Sequence, residues 1–203
     1  MSESSPGSTR KLRDLPDDYD LDHLTGALEH LTDFRVAIDG GAHRGIWTRE
    51  MAKRFEAVIA FEPRRYFSEQ IVGAEEHIFV FPFALGANYG SCDIRDGDKN
   101  TGQAHVTKGL TYTMRPLDFY DFEHVDFLKL DLEGYELLAL HGAAQTIETW
   151  HPAILVEQNG LSERYGYTDD DLAQWLGQHG YELTAEFGVD KLYCHEYRLG
   201  LQH

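Results

Sequence analysis

Four acids stand where short apolar runs end: Asp39 after Val36-Ala37-Ile38, Glu62 after Ala57-Val58-Ile59-Ala60-Phe61, Asp131 after Phe127-Leu128-Lys129-Leu130, and Glu157 after Ala153-Ile154-Leu155-Val156. A carboxylate can accept hydrogen bonds from two neighbouring hydroxyls, take a proton from a nucleophile, or ligate a hard cation. Glycines accompany two of the four. Asp39 leads into Gly40-Gly41-Ala42-His43-Arg44-Gly45, and Asp131 into Leu132-Glu133-Gly134. Glycine lets a backbone turn sharply and approach a ligand closely, and the N–H groups at the start of a following helix favour acceptors placed there. An acid in such a turn would repel a pyrophosphate. Asp39 therefore suits a ligand that is cationic or that offers hydroxyl and amino donors, as S-adenosylmethionine does. This makes Asp39, Gly40, Gly41, Ala42, His43 and Gly45 candidate binding residues, with Glu62 suited to accept from both hydroxyls of a ribose.

To position these acids the chain needs strands that end together. Each run before an acid reads as a strand, and a segment with apolar residues at helical spacing follows the first and third: Ile46 to Ala52, and Leu137, Leu138 and Leu140. Ile78-Phe79-Val80-Phe81 is another run, closed by Pro82, and the turn Ala84-Leu85-Gly86 after it brings Ala84 and Leu85 into the candidate binding set. Strands alternating with helices predict an α/β fold, a Rossmann-like doubly wound and mainly parallel sheet. The runs Tyr181 to Phe187 and Leu192 to Tyr197 are separated by a few residues including Gly188, which predicts an antiparallel hairpin at one edge. Leu21, Leu24, Leu28 and Leu31 predict a first helix on the sheet edge, and Asp169-Asp170-Asp171 opens another that Gly180 stops. Between Gly86 and Thr113 the pattern is weak, and a small antiparallel excursion or a loop over the site fits it. Ligands of parallel sheets lie beyond the carboxyl ends of the strands, so the four acids should share one crevice.

The chain has 203 residues, enough for one well-buried core, and residues 17–203 are expected to form a single domain behind a mobile tail, 1–16. Eighteen Lys and Arg against 35 Asp and Glu leave a formal charge of -17, which disfavours nucleic acid and anionic membrane surfaces as partners. Arg44, Arg49, Lys53, Arg54, Arg64 and Arg65 could form a local basic rim for a phosphorylated small molecule, or simply a solvated helix face. Cys92 and Cys194 lack metal or redox spacing and should be free thiols. No apolar stretch reaches the length of a membrane span and no signal peptide is evident, so the expected location is cytoplasmic.

Asp39-x-Gly41-x-x-x-Gly45, Phe61-Glu62-Pro63 and above all Phe127-Leu128-Lys129-Leu130-Asp131-Leu132-Glu133-Gly134-Tyr135-Glu136 resemble the FkbM-type S-adenosylmethionine-dependent methyltransferases of the class I superfamily. The likeness runs from about Phe34 to Tyr197, through Leu140-x-Gly142-Ala143 and Gly166-Tyr167-x-x-x-x-Leu172. In one departure, His43 stands where the family more often shows Asn. The resemblance implies S-adenosylmethionine as cofactor and methyl transfer to a hydroxyl of a small-molecule acceptor, often a sugar or a natural product.

For that reaction Asp131 is the candidate proton acceptor, also placed at the cofactor, and Glu133 the candidate helper. Capping of the next helix is the plainer role for both. Lys129 should pair with a strand-end carboxylate, since an unpaired lysine inside a sheet is costly. His43, His105, His141 and His151 lack metal-ligand spacing. A Mg²⁺ between Asp131, Glu133 and Glu157 would suit their oxygens, but spacing does not bring them to one point, so no metal is assigned. Oligomeric state is left open. The competing readings are an adenosylmethionine-binding protein without turnover and a nicotinamide-dependent oxidoreductase. Asp39 and the lack of a hydride-transfer Tyr-Lys pair argue against the second.

Overall fold

The computed structural model describes residues 21–97 and 103–199, so the tail expected over 1–16 lies outside them. The elements in chain order are α1 (Leu21–Leu28), β1 (Val36–Gly40), α2 (Ile46–Met51), β2 (Ala57–Phe61), α3 (Arg65–Ile71), β3 (Ile78–Phe81), β4 (Ala84–Leu85), β5 (Gly90–Arg95) and β6 (His105–Arg115). They continue with β7 (Phe127–Leu130), α4 (Glu136–His141), α5 (Ala144–Trp150), β8 (Ala153–Glu157), α6 (Asp169–Gln178), β9 (Tyr181–Phe187), β10 (Asp190–His195) and α7 (Glu196–Leu199).

Seven strands form one sheet in the order β3-β2-β1-β7-β8-β10-β9. The first five are parallel, and β10 runs antiparallel to both β8 and β9, so the expected hairpin is present with β9 at the edge. Side-chain alternation sorts the core into two layers. Ala37, Phe127, Ala153 and Leu155 face Leu24 and Leu28 of α1, Met51 of α2 and Ile71 of α3. Their neighbours Ile38, Leu128, Ile154 and Val156 face Leu137 and Leu140 of α4, Ile147 of α5, and Leu172 and Leu176 of α6. Helices therefore cover both faces, as continuous apolar strands require. This is the Rossmann-like, mainly parallel α/β sheet with an antiparallel edge hairpin that the sequence pattern predicts.

The polar stretch after Gly86 is an antiparallel excursion. β5 pairs with β6, β6 pairs in parallel with β4, and the register jumps between Cys92 and Asp93, so that Lys108–Thr111 bulge outward with Leu110 exposed. Helix α6 is opened by Thr168 rather than by the three aspartates. Thr168 and Asp171 form a capping box, with Asp171 N–H donating to Thr168 Oγ1 and Thr168 N–H to Asp171 Oδ2. Asp169 is thereby free to accept from Gly160 N–H and Ser162 Oγ, fixing the segment after β8. Both cysteines are buried free thiols, and no helix among the described residues is long and apolar enough to cross a membrane.

Candidate active site

The chain adds β2 and β3 on one side of β1, then returns to lay β7 on the other side. Loops leaving β1 and β7 diverge at that reversal and open a crevice beyond the strand ends. A cavity of about 370 Å³ lies there. Gly41, Ala42 and His43 line it from the loop after β1, Glu62 from the end of β2, Ala84 and Leu85 from β4, and Asp131, Glu133 and Glu157 from the ends of β7 and β8. Asp39, Gly40 and Gly45 are not part of its wall. His23 of α1, Asp190 at the start of β10, and Gln103, Ala104 and Val106 beside and within β6 complete it, positions that no motif had flagged. His23 Nδ1 lies 2.8 Å from Asp190 Oδ2, so α1 and the β9–β10 turn close one side together.

The glycine loop is built by close approach. Gly41 has φ +80, and a Cβ there would sit 2.0 Å from the carbonyl oxygen of Asp131, so only glycine lets the two loops cross. Gly41 and Ala42 N–H both donate to Phe61 O, and Gly45, also left-handed, precedes the six-residue α2. Glu62 is buried and already engaged: Oε2 accepts from His43 N–H at 2.9 Å, and Oε1 from Arg64 N–H and Nε at 2.9 Å each. Arg64 Nη2 adds a longer contact to Oε2 at 3.4 Å. His43 packs on Phe67, with ring centroids 4.2 Å apart. Burial, followed by Arg64, Arg44 and Lys129, lowers its pKa to about 4, which leaves a neutral and weakly basic ring near neutral pH. Of the four histidines weighed from sequence, only His43 lines the cavity.

Asp39 differs from the expectation that it faces the ligand. In the register of β1 and β7 it stands opposite Lys129, and it is 0% exposed. Thr48 Oγ1 donates to its Oδ2 at 2.6 Å, and Lys129 Nζ lies 3.0 Å from its Oδ1. Lys129 also donates to Gly41 O at 3.2 Å, lies 3.6 Å from Asp131 Oδ2 and sits 5.4 Å from the Trp47 ring centroid. Burial opposes its charge, but Asp39 and Asp131 outweigh that and raise its pKa. The lysine thus pairs as anticipated, and Asp39 reaches the cavity only through it.

Neither Asp131 nor Glu133 caps the following helix. Glu136, 1% exposed, instead braces the turn before it: its Oε1 accepts from Leu132 N–H at 2.7 Å and Gly134 N–H at 3.2 Å. Sequence reading missed Glu136, although an acid two residues past Gly134 at a helix start is a recognisable signal. Asp131 keeps a side-chain exposure of 42%. Glu133, with φ 54, is 7% exposed and makes no hydrogen bond among the described residues. Burial, then the nearby charges of Asp131 and Glu136, pushes its pKa up to about 7. Glu157 is raised as well, first by burial and then by Asp131 and Glu133, and its Oε2 is buried with no hydrogen-bond partner among the described residues. Oxygens of Asp131, Glu133 and Glu157 lie within 4.8 Å of one another.

The basic rim does not assemble. Arg49 donates to the carbonyls of Arg44, Gly45 and Gln70, Lys53 and Arg65 pair with Glu50 and Glu69, and Arg54 stacks on Phe34. Of the six residues only Arg64 lines the cavity.

The model of the FkbM methyltransferase domain family matches residues 39–183, the whole span from the first strand-end acid into β9. The chain belongs to this family. A crystal structure of the methyltransferase FkbM from Methylobacillus flagellatus KT is 19% identical with a TM-score of 0.54, over 80% of this chain and 44% of that one. This FkbM-domain chain therefore spans less than half of that protein. The N-methyltransferase NodS from Bradyrhizobium japonicum WM9, in complex with S-adenosyl-L-homocysteine, is 8% identical with a TM-score of 0.51, over 88% and 87% of the two chains. At such identities the structures testify to the fold alone. No curated protein matches the chain. FkbM membership agrees with the family that the motifs implied and speaks against the oxidoreductase reading.

Proposed function

We propose that this cavity binds S-adenosylmethionine between the glycine loop and Glu62, and that the methyl group passes to a hydroxyl of a small acceptor held at the Asp131 end. The observation that carries the reading is the division of labour after β7. Glu136 braces the loop, so Asp131 and Glu133 face the cavity without having to hold that turn themselves.

The cofactor fits the donor and acceptor set. A carboxylate has about four lone-pair sites. Backbone N–H groups of His43 and Arg64 take one on each oxygen of Glu62 and so aim it. The Arg64 guanidinium covers the remaining two. Two adjacent ribose hydroxyls can replace that guanidinium, one on each oxygen. Asp39 contributes from behind the wall by holding Lys129, which in turn positions Asp131 and the Gly41 carbonyl.

Bound S-adenosylmethionine supplies an electrophilic methyl group. The protein's part is to align the acceptor oxygen in line with it and to take the acceptor's proton. Asp131 is the exposed carboxylate at the strand end and accepts that proton, while Glu133 orients the hydroxyl. A cavity of about 370 Å³ suits a small molecule, and a sugar or natural-product hydroxyl is the acceptor class the FkbM motifs favour. The excess of acids disfavours nucleic acid.

Titration calorimetry with S-adenosylhomocysteine and with NAD, followed by turnover on a panel of hydroxylated acceptors, tests this. S-adenosylhomocysteine is expected to bind and to raise the melting temperature by mass action, and NAD to do neither. Binding of NAD in place of S-adenosylhomocysteine, or transfer confined to amines, would overturn it.

A further inference from the structure

We infer that Asp131, Glu133 and Glu157 form a binding site for one hard divalent cation in the wall of the cavity. The site follows from strand register. β7 and β8 pair in parallel with Leu130 opposite Val156, so Asp131, just past the end of β7, and Glu157, the last residue of β8, stand at the same level. Glu133 returns to that level because its backbone adopts φ 54 in the turn that Glu136 braces.

Distance and chemistry both point to a cation. One oxygen from each carboxylate lies within 4.8 Å of the others. Two oxygens bound to one ion are separated by at most twice the metal–oxygen bond, roughly 4.1 Å for Mg²⁺ and 4.6–5.2 Å for Ca²⁺. The three oxygens are therefore close enough to converge on one hard cation by side-chain rotation. Among the described residues, two of the acids have carboxylate oxygens with no hydrogen bond or ion pair. Glu133 is 7% exposed, faces the cavity and has no hydrogen bond among the described residues, and Glu157 Oε2 is buried with no hydrogen-bond partner among them. Among the described residues no Lys or Arg forms an ion pair with either, and Lys129, near Asp131, is already held by Asp39 and Gly41. Buried carboxylates left so are normally paired or coordinate a metal. Three oxygens on one side of an ion leave its other positions to water or to an acceptor hydroxyl. A hydroxyl on the ion loses its proton more readily. That last consequence rests on the proposed methyl transfer, whereas cation binding does not.

The full chain, stripped of metal with chelator and exchanged into metal-free buffer, is titrated with Mn²⁺ by electron paramagnetic resonance and with Mg²⁺ and Ca²⁺ by calorimetry. One saturable site is expected. Glu157→Gln and Glu133→Gln, isosteric changes checked by circular dichroism and by retained S-adenosylhomocysteine binding, should weaken it by at least roughly 10–100-fold, the range for losing even a group behind the ligands. Absence of saturable binding, affinity equal in the folded variants, or stabilisation by a primary amine with no response to any cation would overturn the site. If no cation binds while S-adenosylhomocysteine still does and a hydroxylated acceptor is methylated, the cation proposal fails and methyl transfer stands. If the cation binds but no hydroxylated acceptor is methylated, the site stands and the acceptor assignment fails.

Discussion

Glu62 is aimed before a ligand arrives, because backbone N–H groups of His43 and Arg64 hold one lone pair on each of its oxygens. Glu62→Ala is expected to weaken S-adenosylhomocysteine by about 1.5–3 kcal/mol for each hydrogen bond to the carboxylate lost, read by calorimetry on a variant with unchanged circular dichroism. Unaltered affinity would remove Glu62 from the ribose site. Glu136 stabilises the Asp131 loop rather than reacting. Glu136→Ala leaves Leu132 and Gly134 N–H groups without their acceptor, at about 1–3 kcal/mol per buried group in urea unfolding, while Glu136→Gln should retain most of the stability. Equal stability of the two variants would contradict the bracing role. The meeting of Asp131, Glu133 and Glu157 was legible in part, since all follow from strand ends in a parallel sheet. The place of Asp39 was not. Its partner Lys129 is chosen by the pairing register of β1 with β7, 90 residues on in the chain, and spacing along a sequence carries no record of register.

At the opposite end of the sheet, Asp126 joins three elements. It accepts from Arg35 N–H, Nε and Nη2 ahead of β1 and from Arg198 in α7, while itself preceding β7. Burial disfavours its charge, but the hydrogen bonds from Arg35, with Arg198 adding to them, prevail and hold its pKa below the ordinary carboxylate value. A folded pKa below the unfolded one contributes stability above the unfolded pKa that is lost as pH falls through the folded pKa. Thermal melts below pH 4 should therefore show an acid limb that Asp126→Asn flattens. At neutral pH the same change should destabilise by about 1–3 kcal/mol, less than for a fully buried pair because the Arg35 side chain is 43% exposed and can be hydrated. An unchanged limb would place the acid sensitivity elsewhere. The parallel strands were legible because sheets covered on both faces leave unbroken apolar runs. β6 was legible only as one of two alternatives, since most of its residues are exposed or half-buried and a strand with little to bury shows a weak pattern. Yet this excursion helps close the cavity, with Tyr165 OH donating to Val106 O at 2.9 Å.

For the whole molecule, the two core layers fix where strands end, and strand ends fix where carboxylates gather. Five parallel strands deliver Glu62, Asp131 and Glu157 to one rim, the glycine loop crosses it, and helix α1 with the β9–β10 turn closes the side. The rest of the surface, with its excess of acids, favours a small neutral or cationic partner over a polyanion. The central claim is that Asp131 takes the acceptor's proton during methyl transfer. Transfer of labelled methyl from S-adenosylmethionine to a hydroxylated acceptor, measured side by side for the native protein and Asp131→Asn, tests it most directly. The account predicts a fall of roughly 10²–10⁴-fold, with S-adenosylhomocysteine affinity changed far less. Near-native transfer by a folded Asp131→Asn, or a loss of affinity as large as the loss of rate, would contradict it.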